Sequence, residues 1–228
     1  MAESIAESME TSEQPFKSSS LWHDVWRQVR RNRFAVVGLV ILIALILVAL
    51  TAPWIAPHDP YKMELRDALK PPASPGHLLG TDELGRDILS RLIYGSRISL
   101  TVGLIVVGIA ASIGVTLGAI SGYYGGLVDQ AIMRLVDVLL AFPFLVLAIA
   151  VASILGPSLT NMMIVLGGVT WIGYARLVRG LVLTLREQEY VLAARVVGAQ
   201  DRRIIWRHIL PNCMGVIIVQ ATFGVAVA

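Results

Sequence analysis

The stretch FAVVGLVILIALILVALTAPWI, residues 34–55, contains no charged side chain and decides the fold class. About 20 consecutive apolar residues are enough for a helix to cross the hydrocarbon core of a bilayer. Pro53 and Pro57 stand at the end of this run, where proline, which lacks an N–H, interrupts helical hydrogen bonding. The stretch therefore predicts a membrane-spanning helix and indicates an integral membrane protein.

The composition of the whole chain agrees with a membrane protein. Hydrophobic residues make up 56% of the 228 residues and charged residues only 15%, whereas soluble domains average about 25% charged. Four more apolar stretches approach the length of a span, and they cover residues 99–123, 138–155, 159–175 and 212–228. We therefore predict an all-α integral membrane protein with five spans, and we expect a final span to be missing because the last stretch is still apolar at residue 228.

The distribution of charge predicts the topology. Basic residues cluster before the first span and again between residues 176 and 207, and Lys and Arg favour the cytoplasmic side of a membrane. We expect residues 1–33 to form a cytoplasmic N-terminal tail and an amphipathic helix, followed by the first span at 34–57. Residues 58–97 are then external, and 98–228 form the core. Because the basic residues flank spans, the net charge of +3 does not indicate nucleic-acid binding.

Three glycines in the second apolar stretch, Gly114, Gly118 and Gly122, recur every four residues. Such a stripe of small residues lets another helix backbone approach closely. We favour packing against another helix of the same chain, with helix dimerisation as the alternative.

Residues 186–209 form the most basic cytoplasmic segment. Tyr190, Ala193, Ala194 and Val197 share one helical face, and Gly198 permits the left-handed backbone that ends a helix. Asp201 is suited to cap a second helix. The segment therefore predicts a helix, a corner and a second helix between two spans.

This segment resembles the "EAA" loop of permease subunits of ABC importers, whose pattern is E-A-A, three residues, G, nine residues, I-x-L-P. Ala193, Ala194, Gly198, Leu210 and Pro211 match it, while Leu192 replaces the Glu and His208 replaces the Ile. The resemblance implies a loop that couples the spans to a cytoplasmic ATPase. The residues expected to carry this role are Tyr190, Ala193, Ala194, Arg195, Gly198, Asp201, Arg202, Leu210 and Pro211.

A second resemblance lies in the external segment. The sequence LGTDELGRD, residues 79–87, is similar to the C-type permease subunit of dipeptide, oligopeptide and nickel ABC importers. Its motif residues are Gly80, Thr81, Asp82, Gly85, Arg86 and Asp87. From the residues alone, we predict a surface helix after Asp87, with Asp87 and Arg91 forming an exposed ion pair one turn apart.

The resemblance implies a type I permease bundle in the inner (plasma) membrane that forms half of an ATP-driven pathway for dipeptides or oligopeptides. Its partners would be a second, homologous permease subunit in a heterodimer, two cytoplasmic ABC ATPase subunits and an external solute-binding protein. A nickel or other small-solute importer and a membrane scaffold without transport remain alternatives. The chain has no phosphate-binding loop, and its four histidines are scattered, so we predict no catalytic, cofactor or metal site.

Overall fold

The computed structural model describes residues 29–227, so the predicted tail and most of the predicted amphipathic helix lie outside the described residues. Within this range the regular secondary structure is helical. The helices are α1 (Arg33–Ile55), α2 (Ile88–Tyr124), α3 (Gly126–Leu140), α4 (Phe144–Leu155), α5 (Leu159–Leu185), α6 (Glu189–Val196), α7 (Asp201–Ile204) and α8 (Leu210–Val227). A 3₁₀ turn covers Leu65–Asp67, and a π-helical turn covers Ile205–Ile209.

The number of spans agrees with the sequence. Four helical segments of the described range are long and apolar enough to cross a membrane, and a bent pair of helices would make a fifth span. The all-α membrane bundle is therefore confirmed.

Helix α1 lies at the edge of the bundle. The Asn32 side chain begins it by accepting hydrogen bonds from the backbone N–H groups of Phe34 (3.0 Å) and Ala35 (3.3 Å). Only Ala49 and Ala52 are buried, and the helix packs on α2. Its exposed apolar side chains suit contact with lipid, since a helix satisfies its own backbone hydrogen bonds.

The centre of the bundle is the contact between α2 and α5, and the glycine stripe creates it. A Cβ atom at Gly114 would lie 2.5 Å from the carbonyl oxygen of Trp171, and one at Gly118 would lie 2.5 Å from that of Ala175. A Cβ atom at Gly122 would likewise lie too close to the next turn of α5. The predicted packing within the chain is confirmed, because only glycine allows the two backbones to approach this closely.

Both central helices are longer than predicted. Helix α2 begins at Ile88, so the predicted surface helix and the second span form one continuous helix. Helix α5 continues to Leu185, past the expected end at residue 175. Arg179 does not end it, because Asp129 on α3 accepts two hydrogen bonds from its guanidinium, at 2.5 and 2.6 Å. Because the charge of Arg179 is paired with that of Asp129, α5 can continue past Arg179 within the bundle.

The predicted third span is not a straight helix. Helices α3 and α4 meet at an angle of 91°, with Pro143 at the start of α4. The 12 residues of α4 rise only about 18 Å at about 1.5 Å per residue, which is less than the bilayer core. The expected short connection at 125–137 is in fact mostly helix α3, and the span predicted at 138–155 is divided between the end of α3 and α4.

The last span starts earlier than expected. Residues 201–227 form one helical segment, whereas a new span was expected near Asn212, after Pro211. The π-helical turn lets Leu210 N–H donate to the carbonyl oxygen of Ile205, five residues back. Such a turn accommodates Pro211, whose ring would clash with a carbonyl group in a regular helix.

Candidate functional site

The motif of the external segment forms a tightly hydrogen-bonded loop around the Asp82 carboxylate. This carboxylate accepts hydrogen bonds from the backbone N–H groups of Leu84 and Arg86, both at 2.9 Å, and from Arg86 Nε at 2.8 Å. It also pairs with Arg91. Partial burial of Asp82 raises its pKa, but the hydrogen bonds from Arg86 and Leu84 outweigh burial and lower the pKa to about 2.

Thr81 and two glycines join this loop to the preceding chain. The buried Thr81 hydroxyl donates to the carbonyl oxygen of Asp67 and accepts from Lys70 N–H at 2.9 Å. Gly80 and Gly85 have φ angles of 78° and 73°. A Cβ atom added to Gly80 would lie 2.3 Å from the Lys70 carbonyl oxygen. One added to Gly85 would lie 1.9 Å from the Glu64 carbonyl oxygen. Both positions therefore require glycine on two grounds, conformation and space.

The prediction of an exposed Asp87–Arg91 pair is wrong. Asp87 is only 3% exposed and begins α2 by accepting hydrogen bonds from Ser90 N–H (2.8 Å) and Ser90 Oγ (2.7 Å). Burial raises the pKa of Asp87, but hydrogen bonds from His77 and Ser90 more than offset this and keep the pKa below its ordinary value. An Asp followed three residues later by a Ser, just before an apolar run, is a helix N-terminal pattern that could have indicated this capping role.

The loop also assembles residues that are far apart in the sequence. His58 and His77 lie against Asp87, and their ring centroids are 4.9 Å apart. These two of the four histidines come together because the fold of residues 58–87 returns to the start of α2.

On the opposite side of the long helices, the basic segment has the expected helix–corner–helix shape. Helix α6 ends at Val196, Gly198 follows with a φ angle of 82°, and α7 begins at Asp201. A Cβ atom at Gly198 would meet no atom within 4 Å, so only the backbone conformation favours glycine there. We refer to residues 189–209 as the inner hairpin.

The face of α6 that packs on the bundle contains Val191 and Ala194. Val191 is fully buried and Ala194 packs against the same cluster of α2, α5 and α8 residues, whereas Tyr190 and Ala193 are exposed. The reason is that Val191 and Ala194, three residues apart, occupy the side of α6 that faces the bundle. The opposite side exposes apolar surface at Leu192 (42%), Val196 (88%) and Val197 (87%).

Asp201 does not cap α7, since the residue at the N-cap is Gln200 and no side chain caps the helix. Its carboxylate instead accepts a hydrogen bond from the Tyr123 hydroxyl at 2.7 Å, and the Arg195 guanidinium lies 5.6 Å from the centre of the Tyr123 ring. These contacts attach the hairpin to the C-terminal end of α2. Leu210 is buried, while Arg202 and Pro211 are exposed.

A largely apolar cavity of about 500 Å³ opens between α2, the α3–α4 bend, α5 and α8. Its few polar side chains are Thr170, Tyr174, Arg176 and Gln220. Arg176 is exposed and makes no ion pair with any residue of 29–227. An arginine without a carboxylate partner in an apolar helix marks a surface where function is expected.

A helical membrane bundle that has a cavity, a structured loop on one side and a basic hairpin on the other belongs to the class of membrane transport components. The family described as binding-protein-dependent transport system inner membrane component matches residues 114–228. A second match, to the N-terminal transmembrane domain of oligopeptide transport permease C, covers residues 20–72. The chain belongs to this family of inner membrane permease components of ABC importers.

Curated relatives cover most of the chain. It is 43% identical to a dipeptide transport system permease protein of Alkalihalophilus pseudofirmus, over 95% of this chain and 71% of that protein. Identity is 43% to an oligopeptide transport system permease protein of Bacillus subtilis, over 93% of this chain and 69% of that protein. Identity is 42% to a glutathione transport system permease protein of Escherichia coli, over 90% of this chain and 67% of that protein. The expected multi-pass permease is therefore confirmed.

Proposed function

We propose that this chain forms half of the pathway through which an ATP-driven importer moves dipeptides or oligopeptides across the inner membrane. The substrate class is supported by the relatives, which are named for dipeptide, oligopeptide and glutathione transport. A second, homologous permease completes the pathway, an external solute-binding protein delivers the substrate, and the N-terminus is cytoplasmic.

The observation that carries the proposal is the attachment of the inner hairpin. Val191 buries one side of α6 in the bundle, and Asp201 holds the start of α7 to Tyr123 of α2. The outward side presents Val196 and Val197, which no residue of 29–227 covers. A hairpin fixed on one side and apolar on the other suits a partner that moves it as a rigid body.

The partner we propose is one of two cytoplasmic ABC ATPase subunits. The exposed side chains of the hairpin are apolar at its tip and basic at Arg202, Arg203 and Arg207. An acidic groove would be complementary to these charges, which would orient the partner more than they would add affinity. Closure of the two ATPases would then be transmitted to α2 and α8.

The cavity between α2, α5 and α8 is our candidate for this chain's share of the pathway. It is partly open, so a second permease could cover it, and Arg176 and Gln220 are among the few polar side chains in its apolar wall. Sparse polar groups in an apolar wall orient a ligand without holding it tightly.

The experiment compares Val196→Ser/Val197→Ser with Leu78→Ser, which removes an equally accessible apolar side chain (71% exposed) from the external segment. Each chain is expressed with its sister permease, both ATPases and the solute-binding protein, and uptake of a labelled dipeptide is measured beside ATPase copurification. We expect the double variant to lose both uptake and ATPases while keeping the sister permease, and Leu78→Ser to keep all three.

Wild-type uptake and ATPase retention in the double variant would contradict the coupling role. Uptake of labelled nickel that dipeptides do not inhibit would favour the nickel alternative, and an intact complex that moves no solute would favour the scaffold.

A further inference from the structure

Three separate segments of the chain meet at the outer end of α2. His58 follows α1, His77 lies in the middle of the external segment, and Asp87 begins α2. One potential ligand atom from each residue lies within 4.8 Å of the other two. His77 Nδ1 is 3.0 Å from one Asp87 carboxylate oxygen, and His58 Nδ1 is 3.9 Å from the other.

We propose that His58, His77 and Asp87 bind one divalent transition-metal ion, with Zn²⁺ the best match, and that this ion fastens the external segment to α2. Imidazole nitrogen and carboxylate oxygen are ordinary Zn²⁺ ligands, and three protein ligands with one water is a common zinc arrangement. With bonds of about 2.1 Å, tetrahedral ligand atoms lie about 3.4 Å apart, so three atoms that lie within 4.8 Å of one another need only a small adjustment to bind one ion.

The ligands differ in how firmly they are held. The Asp87 side chain is 2% exposed and oriented by two hydrogen bonds from Ser90, and the His77 side chain is 11% exposed. The His58 side chain is 44% exposed, and its ring makes no hydrogen bond with residues 29–227. Two ligands are therefore positioned in advance, and a small rotation of the His58 ring closes the site from solvent.

Asp67 supports the same assignment from the far side of His77. One of its carboxylate oxygens lies 3.7 Å from His77 Nε2, the ring nitrogen that faces away from Asp87. A carboxylate beside the second nitrogen of a metal-bound histidine fixes the tautomer and orients the ring. With the proton on Nε2, the Nδ1 atom that faces Asp87 is free to bind the ion.

A hydrogen-bonded helix cap without metal explains fewer of these features. It accounts for Asp87, Ser90 and His77, since His77 Nδ1 can donate to Asp87. It gives no role to the His58 ring, which lies beside His77 at 4.9 Å and beyond hydrogen-bond distance from Asp87. A bound metal ion accounts for all three side chains. This metal site is independent of the solute that the importer carries.

The test uses the full importer complex in detergent after treatment with a chelator. Zn²⁺ is added, free metal is removed, and bound metal is measured by mass spectrometry. Co²⁺ then serves as a spectroscopic probe, because its visible absorption reports coordination geometry. We expect one Zn²⁺ per chain, and a tetrahedral Co²⁺ spectrum that Zn²⁺ abolishes.

Variants locate the site. His58→Ala removes an exposed ligand and should leave folding unchanged, as circular dichroism would verify, yet weaken Zn²⁺ binding by more than about 100-fold. Asp67→Asn should weaken binding about 10- to 100-fold, the usual effect of losing an outer-shell partner. Glu83→Gln is the matched control, because Glu83 is an exposed carboxylate of the same segment outside the three-residue cluster, and it should bind as the wild type does.

Two results would overturn the proposal: less than one Zn²⁺ per chain in the wild type, or equal binding by wild type and His58→Ala. The second result would mean that the metal binds elsewhere. Dipeptide uptake, measured after the same complexes are reconstituted into liposomes with the solute-binding protein, keeps this outcome separate from the proposed function, since a complex that imports peptide but binds no Zn²⁺ refutes only the metal site.

Discussion

The external segment, residues 58–87, and the inner hairpin, residues 189–209, are attached to opposite ends of α2 but use their polar residues differently. In the external segment the charges pair with each other, as in Asp82 with Arg86 and Asp67 with Lys70. In the inner hairpin, the arginines at 202, 203 and 207 make no ion pair within the described range, and two valines are almost fully exposed.

The glycines of the two segments show the same contrast. Gly85 and Gly198 both have positive φ angles, but the space beside Gly85 is filled by the Glu64 backbone and the space beside Gly198 is open. The chain itself therefore fills the space beside Gly85, whereas the corner at Gly198 leaves space for a partner. Substitutions should accordingly affect folding in the first segment and assembly in the second.

The largest effect is expected for Gly85→Ala. The new Cβ atom would lie 1.9 Å from the Glu64 carbonyl oxygen, and the left-handed backbone alone costs about 1–2 kcal/mol, so the external segment must rearrange. We expect a loss of stability of more than about 2 kcal/mol and a sharp fall in membrane-inserted protein. Protease sensitivity of the external segment and the yield of inserted chain measure this.

Gly76→Ala is the matched control, because Gly76 has a φ angle of 84° but open space around it. Only the conformational cost remains, about 1–2 kcal/mol. Equal damage from the two variants would show that close approach at Gly85 is unimportant and would weaken the contrast with the inner hairpin.

A smaller effect is expected for Asp87→Asn. An exposed pair with Arg91 would tolerate this change, but the buried cap should not, because the amide can no longer accept hydrogen bonds with both oxygens. Leaving a buried hydrogen-bond partner unsatisfied costs about 1–3 kcal/mol. Thermal unfolding in detergent measures the loss, with exposed Glu83→Gln as the control, expected within about 0.5 kcal/mol. Equal melting temperatures for the two variants would contradict the burial of Asp87.

Much of the fold could be predicted from the sequence, because the determinants were local. The apolar run at 34–55 gave a helix, the stripe from Gly114 to Gly122 gave a close helix contact, and Gly198 gave a corner. Each depends on neighbours within a few residues. Helix ends were predicted less well, because Arg179 is neutralised by Asp129, 50 residues away in the sequence.

The candidate sites were predictable only where their residues lie close together in the sequence. The corner of the inner hairpin could be found from Gly198 alone, but the partner of Asp201 is Tyr123, 78 residues earlier. The group formed by His58, His77 and Asp87 depends on how an irregular loop folds back on itself. No periodic pattern connects these residues, and only a three-dimensional structure brings them together.

Gly198 provides the next test of the contrast. Since no atom lies within 4 Å of the added Cβ, Gly198→Ala and Gly198→Val should both cost about 1–2 kcal/mol and insert normally. If a partner packs against the corner, the Gly198→Val variant should lose far more dipeptide uptake and ATPase copurification than the Gly198→Ala variant. Equal uptake by the two variants would show that the corner is solvated in the assembled importer.

The smallest expected effect is the response of the external segment to acid. The pKa of Asp82 is lowered from 3.8 to about 2, so the charged carboxylate stabilises the folded segment above pH 3.8, and this contribution is lost as the pH falls toward about 2. Hydrogen–deuterium exchange, corrected for intrinsic rates, should show constant protection of residues 80–88 from neutral pH to about pH 4 and a decline below it. Asp82→Asn should lower protection at neutral pH and make the acid-dependent step smaller, while Asp87, whose pKa is also lowered, keeps its own contribution. A decline in the wild type that begins well above pH 4 would contradict this account, because it would mean that the carboxylate loses its hydrogen bonds before it binds a proton.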